Sequence, residues 1–130
     1  EFFLDHDNQL WVNEIAPRPH NSAHHTIEGS YTSQFDQMFR VLAGLPLGST
    51  TFKQAAVMIN LVGPEGGEGA YYLERLEEVL QVEGVYLHMY GKAVSKPHRK
   101  LGHVTITNDN IKKAREIADF VESTLKVKII

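Results

Sequence analysis

Cysteine is absent from all 130 residues, which excludes disulfide frameworks, thiolate nucleophiles and cysteine-based zinc sites together. A reducing compartment is compatible with that lack, and the cytoplasm is the expected location. Long apolar runs are missing too. The longest, Ala55 to Val62, is interrupted by Asn60 and falls well short of the ~20 residues a membrane-spanning helix needs. No secretory signal pattern is found, so no membrane partner is expected. Charge of one sign is also lacking: 13 Lys and Arg stand against 16 Asp and Glu, for a formal net charge of −3. The basic residues are not massed in one long run, which argues against a nucleic-acid partner. Internal repeats and low-complexity tracts are absent as well.

What is present suits a packed α+β protein, with 42% hydrophobic residues. Phe2 to Leu4 and Leu10 to Ile15 flank the polar Asp5-His6-Asp7-Asn8, the composition of an antiparallel hairpin. Phe35, Met38, Phe39 and Leu42 fall at i, i+3, i+4 and i+7, which predicts a helix from Ser33, its N-cap, to Ala43, before Gly44 and Pro46. Leu45 to Thr51 has the character of a linker, dividing a first part (1–48) from a second (49–130).

In the second part, strands are predicted at Ala55 to Val62, Val85 to Tyr90 and Val104 to Thr107. Tyr72, Leu73, Leu76, Val79 and Leu80 mark one helical face, and Ile111, Ala114, Ala118, Val121 and Leu125 another, capped by Asn108 or Asp109. Glu1-Phe2-Phe3-Leu4 begins without Met and already has strand character, so the chain is expected to be the back part of a longer protein.

The densest chemistry lies in Asn13-Glu14-Ile15-Ala16-Pro17-Arg18-Pro19-His20-Asn21-Ser22. A strand through Ile15 would deliver Glu14 on a rigid element, and the two prolines extend the chain so that Arg18 and His20 project from a stiff loop. Glu1 and Glu14 could face each other across the hairpin, a pair suited to Mg²⁺ and nucleotide phosphates. The competing reading makes Glu1 a terminal residue and Glu14 an edge charge. Arg18 offers a planar fork for an anion, or a surface salt bridge. Asn21 and Ser22 could meet a ligand or cap the next segment. His20, His24 and His25 fix no tetrahedral set, which disfavours zinc.

Lys92, Lys96, His98, Arg99, Lys100 and His103 gather around one inter-strand loop. They suit capture of a single phosphate, or an ordinary solvated face. The glycines Gly63, Gly66, Gly67 and Gly69 lack the Lys-Ser or Lys-Thr of a phosphate loop and are expected to form a flexible connector.

The Asn13 to Ser22 run, continuing through His24, Thr26-Ile27-Glu28 and Ser33-Gln34-Phe35, resembles the ATP-grasp carboxylases of purine biosynthesis. Tyr90-Gly91-Lys92 and Arg99-Lys100-Leu101-Gly102-His103 resemble the carboxy-terminal domain of those same enzymes. The resemblance implies the C-terminal part of an ATP-grasp fold plus a small α/β closing domain. It implies carboxylation of 5-aminoimidazole ribonucleotide by bicarbonate through carboxyphosphate, with ATP and Mg²⁺, in an enzyme that is commonly a homodimer. By that likeness Glu1 and Glu14 bind magnesium, Asn13 and Glu14 meet the nucleotide phosphates, and Arg18 stabilises bicarbonate or carboxyphosphate. His20 and Asn21 meet the aminoimidazole nucleotide, and Lys92, Arg99 and Lys100 hold its 5′-phosphate.

Three departures accompany the likeness: Ala23 stands where the family usually has Gly, Ala16 stands where many other ATP-grasp enzymes place a metal-binding Asn, and the portion that grips adenine is lacking, so the isolated chain is expected to be inactive. Formate-dependent glycinamide ribonucleotide transformylase shares the Pro-Arg-Pro-His run but typically continues Asp-Thr-Gly, unlike Asn21-Ser22-Ala23. A noncatalytic nucleotide-binding or dimerisation module is the reading from a different class.

Overall fold

The computed structural model describes residues 1–130. The first two strands, β1 (Phe2–Leu4) and β2 (Leu10–Val12), pair antiparallel with Phe3 opposite Trp11. Asp5 closes the turn: one carboxylate oxygen accepts from the backbone N–H groups of Asp7 and Gln9, both at 2.9 Å, and the other from the Trp11 indole at 2.8 Å. β2 spans Leu10–Val12 rather than running to Ile15; beyond it the Asn13 N–H donates to the Glu1 carbonyl at 3.0 Å and the Glu1 ammonium to the Glu14 carbonyl at 2.7 Å. Glu14 therefore sits just past the strand.

A 3₁₀ turn (Asn21–Ala23) leads into the short helix α1 (Thr26–Gly29) and then α2 (Gln34–Leu42). The sequence reading of α2 is borne out. Ser33 and Asp36 form a reciprocal capping box, and the helix ends in a Schellman arrangement. There Gly44, at φ 65°, donates to Val41, and Leu45 donates to Arg40.

Beyond residue 50 lie β3 (Ala55–Val62), β4 (Tyr71–Glu74), α3 (Leu76–Leu80), β5 (Val85–Met89), β6 (Lys100–Asn108), α4 (Ile111–Thr124) and β7 (Lys126–Ile129). An antiparallel sheet of order β3-β6-β5 is the centre of the fold, with β6 in the middle and every residue from Leu101 to Thr107 buried. One face of β6 presents Val104 and Ile106 to a core completed by Leu61, Val79 and the α4 stripe of Ala114, Ala118, Val121 and Leu125. Small residues at 114 and 118 let helix and sheet approach closely, so the burial is dense.

The structure corrects several expectations. Tyr72 and Leu73 belong to β4, not to a helix, because Arg75 takes a left-handed φ of 60° that separates strand from α3. β4 is held as a strand by β7, 55 residues or so further along in sequence, with Tyr71 opposite Ile129. The α4 cap is Asn110, whose side chain accepts from the Lys112 N–H at 2.9 Å; Asn108 instead accepts from the Asn110 N–H at 3.0 Å. The glycine-rich segment is no free connector. Gly63 lies where a Cβ would meet the Lys96 carbonyl at 2.1 Å, and its N–H donates to the Arg99 carbonyl. Gly63 thus permits close approach to the basic loop, Gly67 and Gly69 lie against Ile129, and Gly66 alone, at φ 83°, has open space beside it.

Candidate active site

Asn21, His24 and Glu28 recur at i, i+3 and i+7, so the 3₁₀ turn and α1 present them on one side. Across the sheet, Asn60, His103 and His88 form one row: His103 is in register with Asn60 on β3 and with His88 on β5. The two sets mate. Asn21 Nδ2 donates to Asn60 Oδ1 at 2.8 Å, His24 stacks on His103 at 4.8 Å between ring centroids, and His88 Nε2 meets Glu28 Oε1 at 2.7 Å. Within the row, His103 also stacks on His88 at 4.4 Å. Residues from the first part of the chain thus roof the polar face of the sheet formed by the second.

His103 is 2% exposed. Burial first, then the neighbouring charges of His88 and His24, pull its pKa from 6.5 down to about 4. Its Nδ1 bonds the Tyr90 hydroxyl at 2.8 Å, and burial raises the Tyr90 pKa against the opposing effect of its Asn21 hydrogen bond. His24 is lowered by burial, then by Lys100, His88 and His20. Burial thus favours the neutral ring at both His103 and His24.

The roof also fixes His20. Its N–H donates to Gln34 Oε1 at 2.7 Å and its carbonyl accepts from Gln34 Nε2 at 2.9 Å, so one amide at the start of α2 holds both sides of the peptide backbone. The His20 ring turns to Ser22 Oγ at 2.9 Å. Lys100, the first residue of β6, donates its Nζ to Asn21 Oδ1 at 2.7 Å. Asn21 and Lys100 are therefore brought together although 79 residues apart.

The acidic end of the hairpin opens onto the same region. A cavity of about 480 Å³ is lined by Glu1, Glu14, Arg18, His20, Ser22 and Gln34, with Phe2, Val12 and Ile15 forming apolar walls. Asn13 Nδ2 donates to Glu1 Oε1 at 2.8 Å, and Arg18 Nη1 reaches only the Pro19 carbonyl at 3.1 Å. No three His, Asp or Glu side chains gather at metal-binding spacing. Two carboxylates on one cavity do fit Mg²⁺, which needs one or two protein oxygens and completes its shell with water and phosphate. His25 bonds the Ser22 carbonyl at 3.0 Å and joins no metal set.

The basic loop divides by role. Lys100 faces the site, whereas Arg99 donates to the Val94 carbonyl at 3.0 Å and Lys96 pairs with Glu68 at 2.9 Å. Lys92 stands exposed in the loop. Reasoning from sequence missed the parts played by Gln34, Asn60, His88 and Tyr90. The i, i+3, i+7 spacing of polar residues ahead of α2 was the one available signal.

A family model described as phosphoribosylaminoimidazole carboxylase C-terminal domain matches residues 56–117, and an ATP-grasp domain model matches residues 1–35. The N5-carboxyaminoimidazole ribonucleotide synthase of Aquifex aeolicus is 41% identical over 126 residues, 97% of this chain and 33% of that protein. The chain belongs to this ATP-grasp family. The crystal structure of the Thermotoga maritima family member superposes with a TM-score of 0.95 at 48% identity, covering 99% of this chain and 36% of that one. A family structure from Aspergillus clavatus, in complex with ADP and 5-aminoimidazole ribonucleotide, matches at a TM-score of 0.78 and 32% identity over 93% of this chain and 34% of its own length. The chain thus spans about a third of the length of its relatives. Family membership accounts for an ATP-grasp terminus joined to a small α/β unit, as the resemblance implied. No helix is long and apolar enough to cross a membrane.

Proposed function

We propose that this chain supplies the carboxy-terminal third of an ATP-dependent carboxylase acting on 5-aminoimidazole ribonucleotide in purine biosynthesis, a cytoplasmic homodimer. The observation that carries the reading is the joining of two unlike surfaces: an acidic cavity holding Glu1, Glu14 and Arg18, and the His20-Asn21 turn bonded to Lys100. In this division residues 1–48 close the ATP-grasp domain and 49–130 form the small domain.

The reaction requires that a bicarbonate oxygen attack the γ-phosphorus of ATP while the bond to the bridging oxygen breaks and ADP departs. The exocyclic amine of the nucleotide then attacks the carboxyl carbon of carboxyphosphate, phosphate leaves, and the amine gives up a proton. Negative charge is crowded at both steps. Glu1 and Glu14 would hold Mg²⁺, which would supply charge neutralisation at the ATP phosphates. Asn13, already bonded to Glu1, orients that carboxylate and presents its amide toward the phosphates. Arg18 needs only to release the Pro19 carbonyl to offer its fork to bicarbonate or carboxyphosphate. His20 and Asn21 contact the aminoimidazole nucleotide from a backbone that Gln34 has already fixed. Lys100, with Lys92 and Arg99, receives the 5′-phosphate; Lys100 is the best placed of the three because it already touches Asn21.

The test is ADP release by the full-length protein with MgATP and bicarbonate. Stimulation by 5-aminoimidazole ribonucleotide, and none by formate with glycinamide ribonucleotide, is the expected result. Stimulation by the second pair alone, or by neither, refutes the proposal.

A further inference from the structure

We propose that His24 is a positioning residue for the nucleotide site: through its Nδ1 it orients the Gln34 amide that sets the His20-Asn21 turn. This rests on the reading of His20 and Asn21 as nucleotide-binding residues. The geometry is a short relay. Gln34 Nε2 lies 2.9 Å from His24 Nδ1 and 2.9 Å from the His20 carbonyl, so both of its protons are committed, while Gln34 Oε1 takes the His20 N–H at 2.7 Å. A side-chain amide has two chemically different ends. The His20 carbonyl and N–H set which end of the amide faces each way, and an acceptor at His24 Nδ1 takes the second Nε2 proton and so locks the side chain in that orientation. The backbone of Gln34 is anchored separately, its N–H donating to Thr26 Oγ1 at 3.0 Å, so the side chain turns on a fixed base.

His24 is itself clamped. Its ring stacks between Phe35 of α2, at 5.6 Å, and His103 of β6, at 4.8 Å, with the Tyr90 ring edge-on at 6.1 Å. As an acceptor at Nδ1 it must carry its proton on Nε2 and be neutral. Burial and the positive Lys100 both favour that state, with His20 and His88 acting in the same direction. The groups around it are His20 in the preceding loop, Lys100 and His103 on β6, His88 on β5 and Tyr90 just after it; Glu28 of α1 meets His88 rather than His24. Protonation of His24 would turn Nδ1 into a donor facing a donor, removing the third hold on Gln34 and setting a repulsion against its two bonds to His20.

Two variants of the full-length protein separate the relay from bulk packing. His24→Phe keeps a ring between Phe35 and His103 but has no acceptor; His24→Asn loses the stack but can place an oxygen near the former Nδ1. The expected result is that His24→Phe raises the KM for 5-aminoimidazole ribonucleotide about tenfold, the scale of one lost hydrogen bond, with the KM for ATP unchanged. His24→Asn should recover most of that loss and should lack the fall in nucleotide affinity that the wild type shows as pH drops. Equal changes in both KM values, or no advantage of Asn over Phe, would overturn the proposal. A readout independent of activity is amide hydrogen exchange at His20: His24→Phe should accelerate it about tenfold while β3 and β6 remain protected. Exchange at His20 unchanged in His24→Phe would overturn the relay even if the enzyme proved active. Absence of aminoimidazole-stimulated turnover in the wild type would count against the function reading alone, leaving exchange to decide the relay.

Discussion

The hairpin at the start and the three-stranded sheet beyond residue 50 are both antiparallel, yet they are stabilised in opposite ways. Phe2, Trp11 and Ile15 are 64%, 59% and 82% exposed, whereas Val104 and Ile106 at the centre of the sheet are fully buried. The hairpin is held in place by its ladder and by the polar hooks of Asp5, with almost no apolar burial of its own. Such two-stranded units are marginal in isolation. The sheet carries its own core on one face and a histidine-rich polar interface on the other. One lesson is that the acidic hairpin rests on local polar bonds, while Asn21 and Lys100 are held together against the sheet.

That contrast can be broken most forcefully at the core. Ile106→Ala should cost roughly 2–5 kcal/mol in urea unfolding, since it empties a fully enclosed position. A loss below 1 kcal/mol would mean that the sheet is no better packed than the hairpin. Next in size is a pH effect. His103 has a folded pKa of about 4, below its ordinary 6.5, so the unfolded chain takes up the proton first as pH falls. The stabilisation from the neutral ring is complete above pH 6.5 and disappears as pH drops toward 4, a change of roughly 3 kcal/mol. Urea midpoints measured between pH 7.5 and 4 should show this slope in the wild type and a flatter one in His103→Gln. Equal slopes would remove His103 as the source.

Gly63→Ala tests whether the glycine segment is packed or free. A Cβ 2.1 Å from the Lys96 carbonyl must displace the basic loop, costing roughly 1–3 kcal/mol; a neutral substitution would restore the picture of a free connector. The smallest effect belongs to the hairpin. Trp11→Phe removes the 2.8 Å bond to Asp5 in an exposed setting, and a stability change of about 0.5 kcal/mol or less is expected from the same urea assay.

Legibility in the sequence followed the range of the interactions. α2 was readable end to end because its cap, apolar period and terminal Gly44 are all local. β3 was readable because it is an apolar run, broken only by Asn60, that ends at Gly63-Pro64. β4 was misread because Tyr72, Leu73, Leu76, Val79 and Leu80 satisfy a helical period, and only a partner supplied by β7 decides otherwise. For the site, the Asn13 to Asn21 run stood out as a candidate through residue types alone. The imidazole row did not, since His24, His88 and His103 come from three separate elements and meet only through the register of β5 with β6 and the docking of α1. Gln34 was hidden for the same reason: its role is to span 14 residues back to His20.

In the proposed division of labour two regions contribute separable halves of one site, the hairpin serving ATP and the docked turn with Lys100 serving the phosphorylated nucleotide. The direct measurement is ADP release by the full-length protein, titrated with each substrate in turn, for Glu14→Gln and Lys100→Met. The account predicts that Glu14→Gln impairs the ATP-dependent step with nucleotide binding retained, while Lys100→Met raises the KM for 5-aminoimidazole ribonucleotide at least tenfold with that for ATP unchanged. Equal impairment toward both substrates by both variants would contradict it.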